Sequence, residues 1–145
     1  MEGKDSFLGM RPTRIPLAHS ELTSRIIGHF FDVYNDLGYG FPEKIYHRAL
    51  KVALAADGIL AASEVSLPVW FRGQVIGRFR ADLVVEELVV VELKTLPMLY
   101  PANATQLLNY LKSTKREVGL LLNFGRQPQI KRLVRSNPPD PRASA

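Results

Sequence analysis

Two carboxylates and one ammonium stand where apolar strands are expected to carry no charge. Glu92 and Lys94 end the run Leu88-Val89-Val90-Val91, and Asp82 follows Arg80-Ala81 in the preceding apolar segment. Alternate side chains of a strand share a face, so Glu92 and Lys94 point one way and Leu93 the other. A buried charge left unpaired costs on the order of several kcal/mol, so these groups need compensation. An ion pair at a strand terminus is one form of it, with Asp82 an ordinary strand-edge acid. A hard divalent cation held by Asp82 and Glu92 is the other. Mg²⁺, with Mn²⁺ as a substitute, neutralises phosphate oxygens and lowers the pKa of an attacking water, while Lys94 orients or deprotonates that water or stabilises the developing charge. That is the chemistry of phosphodiester hydrolysis. Register decides whether the acids meet. A two-residue turn at Glu86-Glu87 pairs Asp82 with Val91 and puts Glu92 on the opposite face. Convergence needs a three- or five-residue loop, or a bulge or twist near Asp82.

Other candidates are weaker. His19, His29 and His47 lack a paired metal spacing and read as surface or helix-face residues. Trp70 and Phe71, beside Arg72, are of a type that stacks on bases, although a strand-edge aromatic pair reads first as core. Gly38 and Gly40 follow no strand and precede no Lys-Ser or Lys-Thr, which sets a phosphate loop and nucleotide hydrolysis aside. The chain has no cysteine, so disulfides and thiolate metal sites are excluded. Nineteen Lys and Arg against fourteen Asp and Glu give a formal charge of +5, which suits a polyanionic partner. Equally, Arg126, Lys131, Arg132 and Arg135 fit a solvated face. No apolar run approaches the length of a membrane span, and the N-terminus is not signal-like, so a soluble cytoplasmic protein with no membrane partner is expected.

The elements that must position these groups fit one domain of 145 residues, 46% of them hydrophobic. Residues 1–19 read as a flexible arm, 20–135 as the folded domain and 136–145, with three prolines, as a disordered tail. Leu22, Ile26, Phe30, Val33 and Leu37 recur at helical spacing from Ser20 to a stop at Gly38. A second helix starts with Pro42 in its first position, buries Ile45, Ala49, Val52 and Ala53, and ends at Gly58. Val65, Leu67 and Val69 alternate as a strand that Pro68 assigns to an edge or bulge. The chain turns at Arg72-Gly73-Gln74, and strands follow over Val75–Val85 and Leu88–Lys94. A helix over Ala104–Lys115 leads to a strand over Val118–Phe124, a crossover that implies parallel pairing. Ile130–Val134 reads as a short basic helix. The expected fold is α/β, a central mixed four-stranded sheet flanked by helices in the order ααβββαβ.

On that order of elements, Asp82 followed by Glu92-Leu93-Lys94 resembles the PD-(D/E)xK nuclease superfamily, with Ala81 where a proline often stands. Gly40-Phe41-Pro42-Glu43-Lys44-Ile45-Tyr46 matches the signature of the GxxExxY protein family, and Gln106-Leu107-Leu108-Asn109-Tyr110 resembles the Gln-x-x-x-Tyr helix motif of an exonuclease-like branch. The resemblance covers about Glu21 to Gly125. It implies a restriction-endonuclease-like core with Asp82, Glu92 and Lys94 catalytic, and Asp82, Glu92 and the Leu93 backbone carbonyl as metal ligands. Glu43 approaches the metal as a ligand of a second ion or through water, unless it is a solvent-facing Glu favoured by the helix dipole. Gln106 and Tyr110 share a helix face toward the substrate, with Gln106 near the catalytic cluster; a core role for Tyr110 remains open. Tyr46 braces the Glu43 helix against the sheet. The implied function is a Mg²⁺-dependent nuclease acting on nucleic acid, with DNA the expected substrate. The alternative is a non-catalytic nucleic-acid-binding or protein-interaction module on the same fold.

Overall fold

The computed structural model describes residues 19–135, and the expectations for residues 1–18 and 136–145 lie outside them. Helices α1 (Ser20–Leu37) and α2 (Glu43–Ala56) precede strands β1 (Ala61–Phe71), β2 (Gln74–Val85) and β3 (Val89–Lys94). Helix α3 (Pro101–Ser113) and strands β4 (Val118–Phe124) and β5 (Pro128–Val134) complete the chain. The sheet order is β1-β2-β3-β4-β5, antiparallel except for the β3–β4 pair, which α3 joins by the expected crossover.

The sheet has five strands, where four are expected. Ile130–Val134 is not a helix but most of the edge strand β5, paired antiparallel to β4 from Phe124↔Pro128 to Val118↔Val134. Five residues span little more than one helical turn, so a period of two fits them as well as one of 3.6. β4 is buried along its whole length and needs a partner on its free edge. Lys131 and Arg132 then fall on an outer strand, where charge discourages pairing with another chain. Pro68 likewise lies on the other edge strand, β1.

Two layers of side chains hold the sheet. Ile26, Phe30, Tyr46, Leu50 and Leu54 from α1 and α2 pack on Leu83, Val85, Val89, Val91, Leu93, Leu120, Leu122 and Phe124. On the opposite face Leu107 and Leu111 of α3 meet Phe79, Ala81, Val84, Val90 and Leu121. The buried stripe of α2 is Tyr46, Leu50 and Leu54, one position on from Ile45, Ala49 and Ala53, and Val52 is 71% exposed. The Tyr46 ring sets this rotation. It stacks on Phe124 at 4.3 Å, and its hydroxyl donates to the Gly38 carbonyl at 2.6 Å and accepts from the Phe41 N–H at 3.2 Å. Tyr46 thus braces α2 against the sheet, as expected, and also pins the turn before it. No helix among the described residues is long and apolar enough to cross a membrane.

Candidate active site

The loop between β2 and β3 has three residues. Pairs Leu83↔Val91, Val84↔Val90 and Val85↔Val89 leave Glu86, Glu87 and Leu88 outside the ladder, so Leu88 belongs to the turn. Glu86 and Glu87 both take left-handed backbone, φ 53° and 59°. The Glu86 carboxylate accepts the Leu60 N–H at 2.8 Å, and the Glu86 N–H donates to the Leu60 carbonyl at 2.8 Å, which holds that conformation in place. One residue more than a tight turn moves Asp82 opposite Glu92, and the register condition for convergence is met.

At Asp82 the β2–β3 ladder stops. The Asp82 N–H donates to Glu92 Oε1 at 3.1 Å, and Asp82 Oδ2 accepts the Leu93 N–H at 2.7 Å, so each acid bonds the other strand's backbone. Alternation also breaks here. Leu83 and Val85 face α1 and α2, whereas Phe79 and Ala81 face α3. β1 changes faces at the same level, between Ala61 and Val65, with Glu64 at φ 51°. The outer part of the β1–β2 hairpin therefore parts from β3 at Asp82 and lies against α3. Asp82, Glu92 and Lys94 are each half-buried at the notch where the strands part.

The electrostatics show how little neutralises this pair. Burial first, then the adjacent Asp82 carboxylate, pushes the Glu92 carboxyl up to about 7, against the Asp82 N–H and the Lys94 charge, which lower it. Among the described residues Lys94 lies within ion-pair distance of neither acid, so the ion-pair form of compensation is absent from the notch. Glu43, first residue of α2, is exposed as a residue. Its carboxyl is nonetheless raised, by partial burial first and Asp82 second, with Lys94 opposing. Glu43 thus feels both strand groups and borders the same notch. No cluster of three or more His, Asp or Glu side chains suited to a metal occurs among the described residues.

Gln106 and Tyr110 do share one face of α3, and they line a groove with Val69, Asn103, Asn109 and Ser113 that does not include Asp82, Glu92 or Lys94. Tyr110 stacks on Phe79 at 4.0 Å, an interior contact between α3 and β2. One supporting residue escapes the sequence reading. Asn123, fully buried at the end of β4, accepts the Leu96 N–H at 2.8 Å and donates to the Leu96 carbonyl at 3.0 Å, fixing the loop after Lys94. A polar side chain inside the run Val118–Phe124 is the signal that would have found it.

No curated protein matches the chain. Among solved structures, one described as "Crystal structure of SSO0001" is 22% identical, with a TM-score of 0.49, covering 83% of this chain and 61% of its own. The present chain therefore spans about 61% of that protein's length. A family model, that of the PD-(D/E)XK nuclease superfamily, matches residues 20–133. These residues run from the first turn of α1 to the penultimate residue of β5, and the chain belongs to the PD-(D/E)XK nuclease superfamily.

Proposed function

We propose that this chain is a Mg²⁺-dependent nuclease that hydrolyses phosphodiester bonds of nucleic acid, DNA foremost, and that Gly40–Tyr46 assigns it to the GxxExxY branch of the superfamily. The observation that carries the reading is the interlocked pair, Asp82 N–H on Glu92 and Leu93 N–H on Asp82, at the notch where two strands part. Two carboxylates side by side, with no cationic side chain in ion-pair contact among the described residues, fit a hard cation as their compensation.

In this reading Asp82 and Glu92 hold the ion, and the Leu93 carbonyl and water complete its ligands. When bound, Mg²⁺ neutralises phosphate oxygens and makes a water acidic enough to attack at neutral pH. The backbone N–H groups of Asp82 and Leu93 each occupy one carboxylate oxygen, which orients the remaining oxygens outward. Lys94, unpaired with either acid, is left to orient the attacking water or to offset charge on the phosphate in the transition state. Glu43 approaches from the start of α2 to bind a second ion or a water. Gln106 and Tyr110 contact the nucleic-acid strand along α3 rather than the reacting phosphate.

Single-stranded, duplex and branched DNA, and RNA, are incubated with the protein in Mg²⁺, in Mn²⁺ and in chelator. Cleavage that needs the metal and disappears in Asp82→Asn and Lys94→Met supports the reading. Binding without cleavage on every substrate, equal in both variants, replaces it with the binding module.

A further inference from the structure

The outer half of the β1–β2 hairpin has no role in the metal-site reading. Its strands pair with each other from Val65↔Ala81 to Phe71↔Gln74, and the turn Arg72-Gly73 has left-handed φ values of 50° and 77°. A two-residue turn of this kind matches the strand twist and presents its flanking side chains rigidly. At that tip Phe71 is 55% exposed, Ile76 65% and Trp70 37%. Apolar side chains in the open at a hairpin tip mark a binding surface more than a core.

The charge around them is one-sided. Between Val65 and Ala81 the chain carries three arginines and no acid. The Arg72 guanidinium lies 4.9 Å from the Phe71 ring centre, and the Lys115 ammonium lies 5.3 Å from that of Trp70. No carboxylate among the described residues lies within ion-pair distance of Arg72 or Lys115. Each of the two rings thus carries a cation over one face, and these cations lack a counter-charge among the described carboxylates.

A groove runs along α3 beside this hairpin, and its lining includes neither Asp82, Glu92 and Lys94 nor Trp70, Phe71, Arg72 and Lys115. α3 begins after the loop that follows Lys94, so its N-terminal end lies on the site's side of the sheet, and Lys115 follows its far end beside Trp70. Asn103, Gln106, Asn109 and Ser113 line the groove along α3, and Val69 lines it from β1. Seven residues of strand separate Asp82 from Val75, the partner of Trp70, roughly 23 Å at about 3.3 Å per residue.

We propose that this groove and tip bind an unpaired strand of nucleic acid, whose bases stack on Trp70 and Phe71 and whose phosphates meet Arg72 and Lys115. The inference rests on the nuclease reading in naming the substrate of that site: nucleic acid with a single-stranded segment beside the scissile bond. Stacking needs exposed base faces, which a duplex hides. A stacked strand rises about 3.4 Å per nucleotide, so about seven nucleotides cover the distance from notch to tip.

Trp70 is the chain's single tryptophan, so its fluorescence reports the proposed contact alone. The full chain is titrated in chelator with oligothymidylate of about 20 nucleotides, with a blunt duplex of equal length, and with duplexes bearing tails of about three or about eight nucleotides. Saturable quenching by the single strand and the longer tail, and none by the blunt duplex or the shorter tail, is expected. Phe71→Ala should weaken single-strand binding about tenfold. Combining Arg72→Ala with Lys115→Ala should lower the slope of log affinity against log salt by about 1.4. All three positions are exposed or at a turn, and thermal midpoints within about 2 °C of wild type confirm the variants are folded. Equal binding of blunt duplex and single strand without quenching, wild-type affinity in the variants, or no nucleic-acid binding with self-association through the tip would each overturn the proposal. Cleavage separates the two readings. Quenching without hydrolysis of any substrate leaves the hairpin-tip proposal standing and removes the nuclease, and hydrolysis without quenching does the reverse.

Discussion

Replacing Glu92 by Gln removes one charge from the notch and keeps an oxygen that accepts the Asp82 N–H, 3.1 Å away in the native protein. Glu92 has a carboxyl raised from 4.5 to about 7 in the folded state, chiefly by burial and then by Asp82. Between those values the native state holds a proton that the unfolded chain has released. Wild-type stability from this group is therefore complete below about pH 4.5 and is lost as pH rises through about 7. The shift corresponds to about 3 kcal/mol, and residual exposure of the side chain leaves about 2 kcal/mol of it. For a domain of this size that is about 8–10 °C in thermal midpoint. Asp57, lowered by His29 and then Arg25, titrates in both proteins and cancels in their difference, whereas Glu43, also raised, is coupled to Glu92 and cancels only in part. Melting curves of metal-free wild type and Glu92→Gln at pH 5 and pH 8.5 measure it. The two should differ by no more than about 2–3 °C at pH 5, with the variant about 8–10 °C higher at pH 8.5. Saturating Mg²⁺ or Mn²⁺ at pH 8.5 should raise wild type, by about 2.7 kcal/mol at a hundredfold excess over Kd, and should leave Glu92→Gln nearly unmoved. A difference that stays flat across pH, or a variant that responds to the ion as wild type does, refutes the picture of two uncompensated carboxylates awaiting a cation.

Three further perturbations test other parts of the fold. Lys94→Met keeps the apolar stem and removes the ammonium, and single-turnover hydrolysis should fall by about 10² to 10⁴ while oligonucleotide affinity in chelator changes less than about twofold. Tyr46→Phe leaves the Gly38 carbonyl and Phe41 N–H without their bonds to the hydroxyl, and urea unfolding should show a loss of about 1–2 kcal/mol. Gly125→Ala puts a Cβ into the Leu96 carbonyl oxygen, a backbone atom that Asn123 holds in place, so this variant should be destabilised by about 2 kcal/mol or more in the same assay.

What the sequence disclosed and what it hid divide along a physical line. Glu92 and Lys94 were legible because burial penalises charge wherever a strand runs, and strict alternation assigned their face without knowledge of any partner. The same penalty applies to Asn123, which stood unread in an equally apolar strand. Less legible were features decided by a second element. Ile130–Val134 is a strand because β4 has an open edge, and five residues cannot announce that. Val52 is exposed because Tyr46 docks on Phe124 and turns α2 about its axis. Trp70 and Phe71 look like core in an edge strand, yet they are exposed because the hairpin bends away from the sheet at Asp82 and carries them off its face.

The meeting of Asp82 with Glu92 lies between these cases. No glycine, asparagine or aspartate marks the left-handed positions of the β2–β3 loop, so two and three residues were equally plausible lengths. Glutamates occupy those positions because Glu86 is held by Leu60, a residue before β1 and 26 positions earlier in the chain. The notch thus depends on a contact outside the hairpin that forms it. Losing the Glu86 carboxylate should relax the loop toward the tighter turn, whose register sends Asp82 to Val91 and separates the two acids. The candidate site was legible in its own residues, while its register is enforced by Leu60, just before the neighbouring strand.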